Sequence, residues 1–272
     1  MNIQKKILTF TLAASTLFSI TPALAETATQ TQTVIGPTLP IPGEQQVLDF
    51  YSMAQKEQAL AWGNQLYQKW ITKISPIEKQ QFIDYTGNGY YDINTYLRTN
   101  QGRLPGTSLA TEEKIKHMDR AMQAAPLEDS IKVYRRVDEK AFGLQPESLI
   151  RNDKLNRAAF ESFKQKFSGK YKTDFAYMST AILKDASPGF SGYPILFRIT
   201  VPKGIDGVYL APLSQFPDEM ELLLARNMTY QVKDISVVKE QQREYVLIDA
   251  TITKAQPKAL HMIEEALPSL SK

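Results

Sequence analysis

The sequence of 272 residues contains no cysteine and only two histidines, His117 and His261. Without cysteine the chain can form neither a disulfide nor a zinc–thiolate site. With only two histidines, a transition-metal site or a histidine-based catalytic triad is improbable. We therefore expect no metal, and we expect any chemistry to rest on carboxylates, arginines and hydroxyl groups.

The chain also lacks an excess of charge of either sign. It carries 32 Lys and Arg against 29 Asp and Glu, so without Lys5 and Lys6 the 30 remaining basic residues leave a formal net charge of +1. A nearly neutral protein gives no support to a role in binding nucleic acid or an anionic membrane. We therefore expect no nucleic-acid partner.

Long apolar runs are missing except at the amino terminus. Lys5 and Lys6 precede an apolar run over 7–20, and small residues follow at 23–25. This is the layout of a secretory signal peptide over residues 1–25, and the run is too short for a membrane span. We predict a secreted protein without a transmembrane segment.

The remaining pattern predicts a leader, a helical lobe and a β core. Residues 26–46 are rich in Thr, Gln, Pro and Gly, which predicts a flexible leader. From 47 to about 125 apolar and aromatic residues recur at helical spacing. Ser75-Pro76, followed by Glu78, is typical of a helix start there.

From about 126 to 255 the pattern changes to short runs in which apolar and polar residues alternate. The clearest strands are predicted at 131–135, 195–201, 230–232 and 245–250. A helix is predicted between them, from about Pro146 to Phe167, and a tail over 256–272. The fold class is therefore α+β, with a single domain at 47–272.

An acidic pair, Glu219 and Glu221, precedes the apolar run 222–224. On a strand, residues two apart project from one face, so both carboxylates would meet one substrate. On a helix they would lie about 200° apart, with Asp218 as the helix cap. Glu, Met and Leu are strong helix formers, so these residues alone leave both structures open.

Three further signals are weak when each is taken alone. Arg135 ends a predicted strand, where it either grips a phosphate through its planar fork or is simply solvated. Ser179 and Thr180 place two hydroxyls on a short strand, which is common at sheet edges. Phe190, in a loop, either stacks on a planar ligand or anchors the loop.

In their order along the chain these features resemble the bacterial toxin mono-ADP-ribosyltransferases. Residues 134–144 are similar to the enzymatic components of the binary actin-modifying toxins. Residues 201–210 and 219–230 are similar both to those components and to the single-domain Rho-modifying exoenzymes. The resemblance implies the ADP-ribosyltransferase fold, a helical lobe packed on a two-sheet mixed β core, and it favours a strand for the acidic pair.

The resemblance also implies NAD as co-substrate and a role for each site residue. Arg135 would hold the diphosphate, and the backbone of Arg136 would bond the nicotinamide amide. Ser179 would orient Glu221, whose charge would stabilise the ribosyl cation as nicotinamide leaves. The other implied cofactor contacts are Phe190 against the nicotinamide ring, Tyr85, Tyr90, Arg98 and Thr180.

Two further residues are implied to face the acceptor protein. Glu219 would orient a target arginine, because the family's arginine-modifying members carry glutamate here and its Rho-modifying members carry glutamine. Phe216 would contact the acceptor. We therefore expect an exported arginine ADP-ribosyltransferase that acts in the target-cell cytosol, with actin as the favoured host acceptor. The alternatives are a transferase acting on a Rho-type GTPase, an NAD glycohydrolase, and a secreted binding domain without activity.

The sequence departs from the family pattern at two positions. Ala181 replaces the last hydroxyl of a Ser-Thr-Ser strand, and Tyr193 stands where the family often has a cofactor-side arginine. Arg98 or Arg136 would have to supply the missing cation. About 247 residues after the signal peptide (272 − 25) leave no room for the second copy of the fold that docks binary-toxin components to a translocation partner. The protein would then enter cells by another route, or its helical lobe would serve as the surface on which the translocation partner docks.

Overall fold

The computed structural model describes residues 46–104, 106–186, 192–240 and 242–253. The predicted signal peptide, all but the last residue of the predicted leader and the predicted tail over 256–272 lie outside the described residues. So does Phe190.

The helical lobe is built from four α-helices, and its starts and packing follow from the sequence. They are α1 (Lys56–Ile71), α2 (Pro76–Asp84), α3 (Tyr90–Thr99) and α4 (Leu109–Gln123), with a π-helical turn at Tyr85–Gly89 between α2 and α3. Ser75 and Glu78 form a capping box at the start of α2, as predicted. Trp70 joins α1 to α4, because its indole N–H donates to the carbonyl of Ala121 at 2.9 Å.

The β core contains eleven strands and one helix in the described residues. They are β1 (Val47–Asp49), β2 (Ser130–Val137), β3 (Ile150–Arg151), β4 (Lys154–Leu155), α5 (Arg157–Phe167), β5 (Tyr171–Asp174), β6 (Met178–Ala181), β7 (Ile195–Val201), β8 (Gly207–Tyr209), β9 (Glu221–Leu224), β10 (Met228–Glu240) and β11 (Arg243–Thr253). All four strands predicted from alternation are therefore found. β1 belongs to the sheet as well, because it pairs with β2, although its residues fall in the segment predicted as helical lobe.

Eight strands follow the order β5-β10-β11-β7-β2-β6-β9-β8, and β1 joins at β2. The β11–β7 and β1–β2 pairs are parallel and the others antiparallel, so the sheet is mixed. β2 and β6 meet through a single residue pair, Tyr134 with Ala181. The strands thus fall into two parts joined at one point, which agrees with the expected two-sheet core and confirms the α+β class.

The helix predicted from Pro146 is wrong over its first eleven residues, 146–156. Asn152 and Asp153 both have positive φ, 50° and 60°, and form the turn of a hairpin between β3 and β4. Helix α5 starts only after Asn156, whose side chain accepts from the N–H of Ala159 at 3.2 Å. Asn and Asp tolerate the positive φ that a two-residue hairpin turn needs, and this turn overrides the helical spacing around it.

The helical lobe and the β core share one buried hydrophobic cluster, which contains Phe82 and Leu97 from the lobe and Val133 and Leu222 from the sheet. Among the described residues, no helix is both long enough and apolar enough to cross a membrane.

Candidate active site

A cleft of about 660 Å³ opens beside the point where β2 and β6 meet, with walls from both the helical lobe and the β core. This volume lies within the range of about 300–1,000 Å³ typical of small-molecule and cofactor sites. Ten of the eleven predicted site residues line it, and Phe190 lies outside the described residues. The ten are Tyr85, Tyr90, Arg98, Arg135, Arg136, Ser179, Thr180, Phe216, Glu219 and Glu221.

Glu221 is the first residue of β9 and is 7% exposed. Burial raises the pKa of its carboxyl to about 7, and the nearby charge of Glu219 also raises it. A hydrogen bond donated by the Ser179 hydroxyl and the positive charge of Arg135 act in the opposite direction. The group therefore titrates close to neutral pH, which is typical of an active-site carboxylate.

β6 supports Glu221 from the neighbouring strand. The Thr180 hydroxyl donates to the carbonyl of Leu222 at 2.6 Å, so its single O–H links β6 to β9 and its oxygen can serve a cofactor only as an acceptor. Ala181 lies directly opposite Glu221 in the strand register. The hydroxyl that this chain lacks at Ala181 is therefore missing beside the buried carboxylate.

Glu219 lies in the cleft, but not for the reason predicted. It is the last residue of the 3-10 turn Pro217–Glu219, and Met220 adopts a left-handed conformation with φ 48° and ψ 45°. The strand begins only at Glu221, so the rule for residues two apart on a strand does not apply. The turn brings both carboxylates to the cleft instead. Burial raises the pKa of Glu219, and Phe216 next to the turn is 54% exposed.

Arg135 and Arg98 enter the cleft from opposite walls, on β2 and α3, and both contact Asp174. Arg98 donates from Nε and Nη2 to the two carboxylate oxygens at 3.3 and 3.2 Å. Arg135 Nη1 lies 3.9 Å from Oδ2 of the same carboxylate. Arg135 is thus a cleft residue rather than a solvated strand end.

The Arg136 side chain has a different environment. It is 5% exposed, its Nε lies 2.8 Å from Asp185, and its guanidinium carbon lies 4.6 Å from the Tyr245 ring centroid. These contacts commit the guanidinium to the protein. Arg98, whose side chain is 48% exposed, is therefore the better placed of the two to replace the cation absent at Tyr193.

Sequence reasoning missed Asn94, which is buried and lines the cleft. Its amide nitrogen donates to the Tyr85 hydroxyl at 2.9 Å, and its carbonyl oxygen is buried without a hydrogen-bond partner among the described residues. The signal was its spacing, since Asn94 follows Tyr90 by four residues on one face of α3. A buried acceptor left unpaired in a cleft is suited to a ligand N–H or O–H.

A family model described as ADP-ribosyltransferase exoenzyme matches residues 59–255. The chain belongs to the ADP-ribosyltransferase exoenzyme family. It is 31% identical over 207 residues to the mono-ADP-ribosyltransferase C3 of Clostridium botulinum C phage, covering 75% of this chain and 82% of that protein. The solved structure of Plx2a, an ADP-ribosyltransferase toxin from Paenibacillus larvae, matches with a TM-score of 0.70 and 30% identity over 76% of this chain and 100% of Plx2a.

A third similar structure is the enzymatic component C2-I of the C2 toxin from Clostridium botulinum. It matches with a TM-score of 0.66 and 26% identity over 77% of this chain but 50% of C2-I. These matches confirm the expected family, fold and enzyme class. The transferase is an NAD-dependent mono-ADP-ribosyltransferase of toxin type, with NAD as co-substrate. The described residues gather no group of three or more acidic or histidine side chains that could hold a metal ion.

Proposed function

We propose that Glu221 is the carboxylate that drives cleavage of NAD in this transferase. What carries the proposal is its setting, since it is a buried acid at the wall of the cleft, hydrogen-bonded by Ser179 and titrating near neutral pH. Its ionised form would accept a hydrogen bond from the 2′-hydroxyl of the nicotinamide ribose. The negative charge then stabilises the oxocarbenium-like ribose as nicotinamide departs, and it does so more strongly in the transition state than in the ground state.

The remaining cleft residues are proposed to bind and orient NAD. Arg135 holds the diphosphate, with Arg98 as the second cation from the helical lobe, which the 48% exposure of its side chain supports. The backbone of Arg136 bonds the nicotinamide amide, because its side chain is already occupied. Tyr85 and Tyr90, which meet edge-to-face with ring centroids 6.5 Å apart, form an aromatic wall with Asn94 behind it. Phe190 is kept as the residue proposed to face the nicotinamide ring.

For the acceptor protein we propose a Rho-type small GTPase of the host. The chain is 31% identical to the C3 transferase, against 26% to C2-I. That difference favours the acceptor of the C3 exoenzymes over that of the components of binary toxins. The expectation of actin rested on the segment around Arg135, and actin is therefore the second candidate.

For the acceptor side chain we propose arginine, because this chain carries Glu219 where the Rho-modifying members carry glutamine. The proposed enzyme therefore shares the acceptor class of those members but modifies a different side chain on it. A guanidinium stays protonated at neutral pH, so it needs a carboxylate both to orient it and to help remove a proton as the new bond forms. Glu219 lines the same cleft as Glu221, at the turn next to the exposed Phe216. Phe216 is proposed to contact the acceptor protein.

The test uses labelled NAD with three acceptors, namely a purified Rho-type GTPase, actin and a small guanidino compound. We expect the GTPase to be labelled and mass spectrometry to find ADP-ribose on an arginine. Labelling of actin alone would replace the proposed acceptor with the second candidate. Release of nicotinamide without labelling would show that the protein is a glycohydrolase. Absence of both reactions would show that it is a binding domain without activity.

Two variants separate the roles of the acidic pair. Glu221→Gln is expected to slow NAD hydrolysis and transfer together by about 100- to 1,000-fold, as for comparable electrostatic groups. Glu219→Gln is expected to keep NAD hydrolysis and to lose transfer to the guanidino compound. Glu161→Gln, on the exposed face of α5, is the matched control and should change neither rate. Equal loss of both activities in Glu219→Gln would contradict this division of roles.

We further propose that residues 47–272 form a single transferase domain, exported by the signal at 1–25 and active in the target-cell cytosol. Secretion is tested by sequencing the amino terminus of the protein recovered from the medium of a bacterial secretion host. We expect the mature chain to begin at Glu26, and retention of the whole chain in the cells would contradict it.

A further inference from the structure

A carboxylate that no sequence motif indicates lies between the two cleft arginines. Asp174 ends β5 and its side chain is 17% exposed. It accepts both Nε and Nη2 of Arg98, at 3.3 and 3.2 Å, and lies 3.9 Å from Nη1 of Arg135. Asp174 does not itself line the cleft, whereas both arginines do. It therefore stands behind them and connects the two walls of the cleft.

The Asp174 carboxylate is itself held in place by the backbone. Its Oδ1 accepts the N–H of Ala176 at 3.1 Å, and its own residue pairs with Met228 across the β5–β10 ladder. Because the carboxylate accepts a backbone N–H and the backbone of Asp174 is held in the ladder, the carboxylate orients the arginines rather than following them.

The charges around Asp174 suit a diphosphate. Arg98 and Arg135 carry one positive charge each, and Lys172 lies two residues before Asp174 on the same strand. Lys172 donates to the carbonyl of Ala141 at 2.8 Å, and its pKa is lowered by burial while the charge of Asp174 counteracts this. Asp174 balances one of these positive charges, so an excess of positive charge remains around it for the negative charges of a diphosphate.

The geometry also leaves donors for a ligand. A guanidinium has five N–H groups in a fixed plane. Arg98 uses its Nε and Nη2 side on Asp174, and Arg135 approaches Asp174 with Nη1 at the longer distance of 3.9 Å. Each arginine can therefore face the carboxylate with one edge and a phosphate with another.

We propose that Asp174 is a positioning residue for NAD, which holds Arg98 and Arg135 in the orientation that receives the diphosphate. The inference rests on the proposed cofactor roles of these two arginines. Long arginine side chains lose conformational entropy when a ligand orders them. A carboxylate that orders them in advance removes part of that cost, so Asp174 raises the affinity for NAD without touching it.

Asp174→Asn tests the proposal, because asparagine keeps the shape and the acceptor for the Ala176 N–H but removes the charge. We expect the KM for NAD in the hydrolysis reaction to rise by about tenfold. We expect kcat to change by less than about threefold, since Asp174 acts through binding residues and not at the reacting bond. Asp174→Glu, which restores the charge, should recover part of the affinity. Asp234→Asn, on the exposed part of β10, is the matched control and should leave KM unchanged.

A double-mutant cycle with Arg98→Lys separates positioning from a general structural effect. If Asp174 acts through Arg98, the loss of NAD affinity from Asp174→Asn should be clearly smaller in the Arg98→Lys background. Equal losses in both backgrounds, or a KM that is unchanged or lowered in Asp174→Asn, would overturn the inference. Calorimetric titration with NAD measures binding directly for each variant, including any that is less stable. If the wild-type protein splits NAD and the KM of the Asp174→Asn variant is unchanged, this inference alone is overturned. If the wild-type protein does not bind NAD, the proposed function is overturned as well.

Discussion

At the scale of single residues, the ionisation of Glu221 links stability to function. The pKa of its carboxyl is raised to about 7 by burial, against an ordinary value of 4.5. Because the folded chain binds this proton more tightly than the unfolded chain, the stability contribution is present below about pH 4.5 and is lost as pH rises to about 7. The folded protein thus gives up stability to keep a charge in the cleft.

Glu221→Gln should therefore stabilise the protein, and only at higher pH. Glutamine has no charge to bury, so at pH 8 we expect an increase in the free energy of unfolding of up to about 3 kcal/mol, from the difference between 4.5 and about 7. At pH 4 the carboxyl is protonated in both states, and the variant and the wild type should unfold alike. Denaturant unfolding at the two pH values measures this, with Glu161→Gln as the control. Equal effects at both pH values would contradict the buried charge.

The same carboxyl predicts a pH profile for NAD hydrolysis. In the role proposed for Glu221 the ionised form is the active one, so kcat/KM should rise with pH and level off above about pH 7. Ser179→Ala removes a hydrogen bond that favours the charge, so the midpoint should move to higher pH. Glu219→Gln removes a like charge, so it should move the midpoint to lower pH. Ser162→Ala, on the exposed face of α5, is the control and should leave the midpoint unchanged. If Ser179→Ala and Glu219→Gln moved the midpoint in the same direction, the hydrogen bond and the like charge would not shift the pKa of Glu221 in opposite directions.

At the scale of elements, local chemistry was predictable where one pattern acted alone. Alternation of apolar and polar residues predicted the strands at 131–135 and 195–201, and both are found. The prediction was wrong where two patterns competed. At 146–156 helical spacing suggested a helix, but Asn152 and Asp153 take left-handed conformations that make a hairpin. At the acidic pair, Met220 adopts a left-handed conformation that no residue-type preference indicates.

Helix α1 is held to β8 by an approach that only glycine permits. A Cβ at Gly63 would lie 2.6–2.8 Å from three atoms of the buried Tyr209 ring. We expect Gly63→Ala to lower the free energy of unfolding by about 1–3 kcal/mol, because a rigid ring or the helix must move. This outweighs the usual gain from alanine in a helix, which is about 1 kcal/mol.

Asn64→Ala is the control for this prediction, since residue 64 is exposed on the same helix and should gain slightly in stability. Urea unfolding of the two variants separates close packing from helix propensity. A stabilised Gly63→Ala would show that α1 and β8 are not in contact at this point.

At the scale of the whole molecule, the site is assembled from both lobes, and this limits what sequence could predict. The residues carried by the family resemblance line one cleft, apart from Phe190 outside the described residues. Asp174 was missed because its importance depends on Arg98 and Arg135, which are distant from it in sequence. Such pairs form only once the helical lobe has packed on the sheet.

The ion pair between Arg226 and Asp119 also joins the β core to the helical lobe. Arg226, just after β9, donates from Nε to both carboxylate oxygens of Asp119 on α4, at 3.0 and 2.9 Å, and it also bonds the carbonyl of Gly102. Asp119 accepts the Tyr177 hydroxyl as well, at 2.7 Å. Tyr177 in turn packs edge-on against Tyr85, with centroids 5.9 Å apart, and both rings line the cleft. The pair therefore supports the aromatic wall from behind.

Asp119→Asn should weaken both stability and NAD binding. It leaves the half-buried Arg226 without its counter-charge, so we expect the free energy of unfolding to fall by about 2 kcal/mol, within the range for an unpaired buried polar group. Because a neutral amide oxygen accepts the Tyr177 hydroxyl less strongly than a carboxylate does, the KM for NAD should rise in the folded variant as well. Glu113→Gln, which breaks an exposed ion pair with Lys116 on the same helix, should change stability by less than about 1 kcal/mol and leave KM unaltered. If Asp119→Asn lowered stability without any change in KM, the ion pair would join the lobes without supporting the aromatic wall.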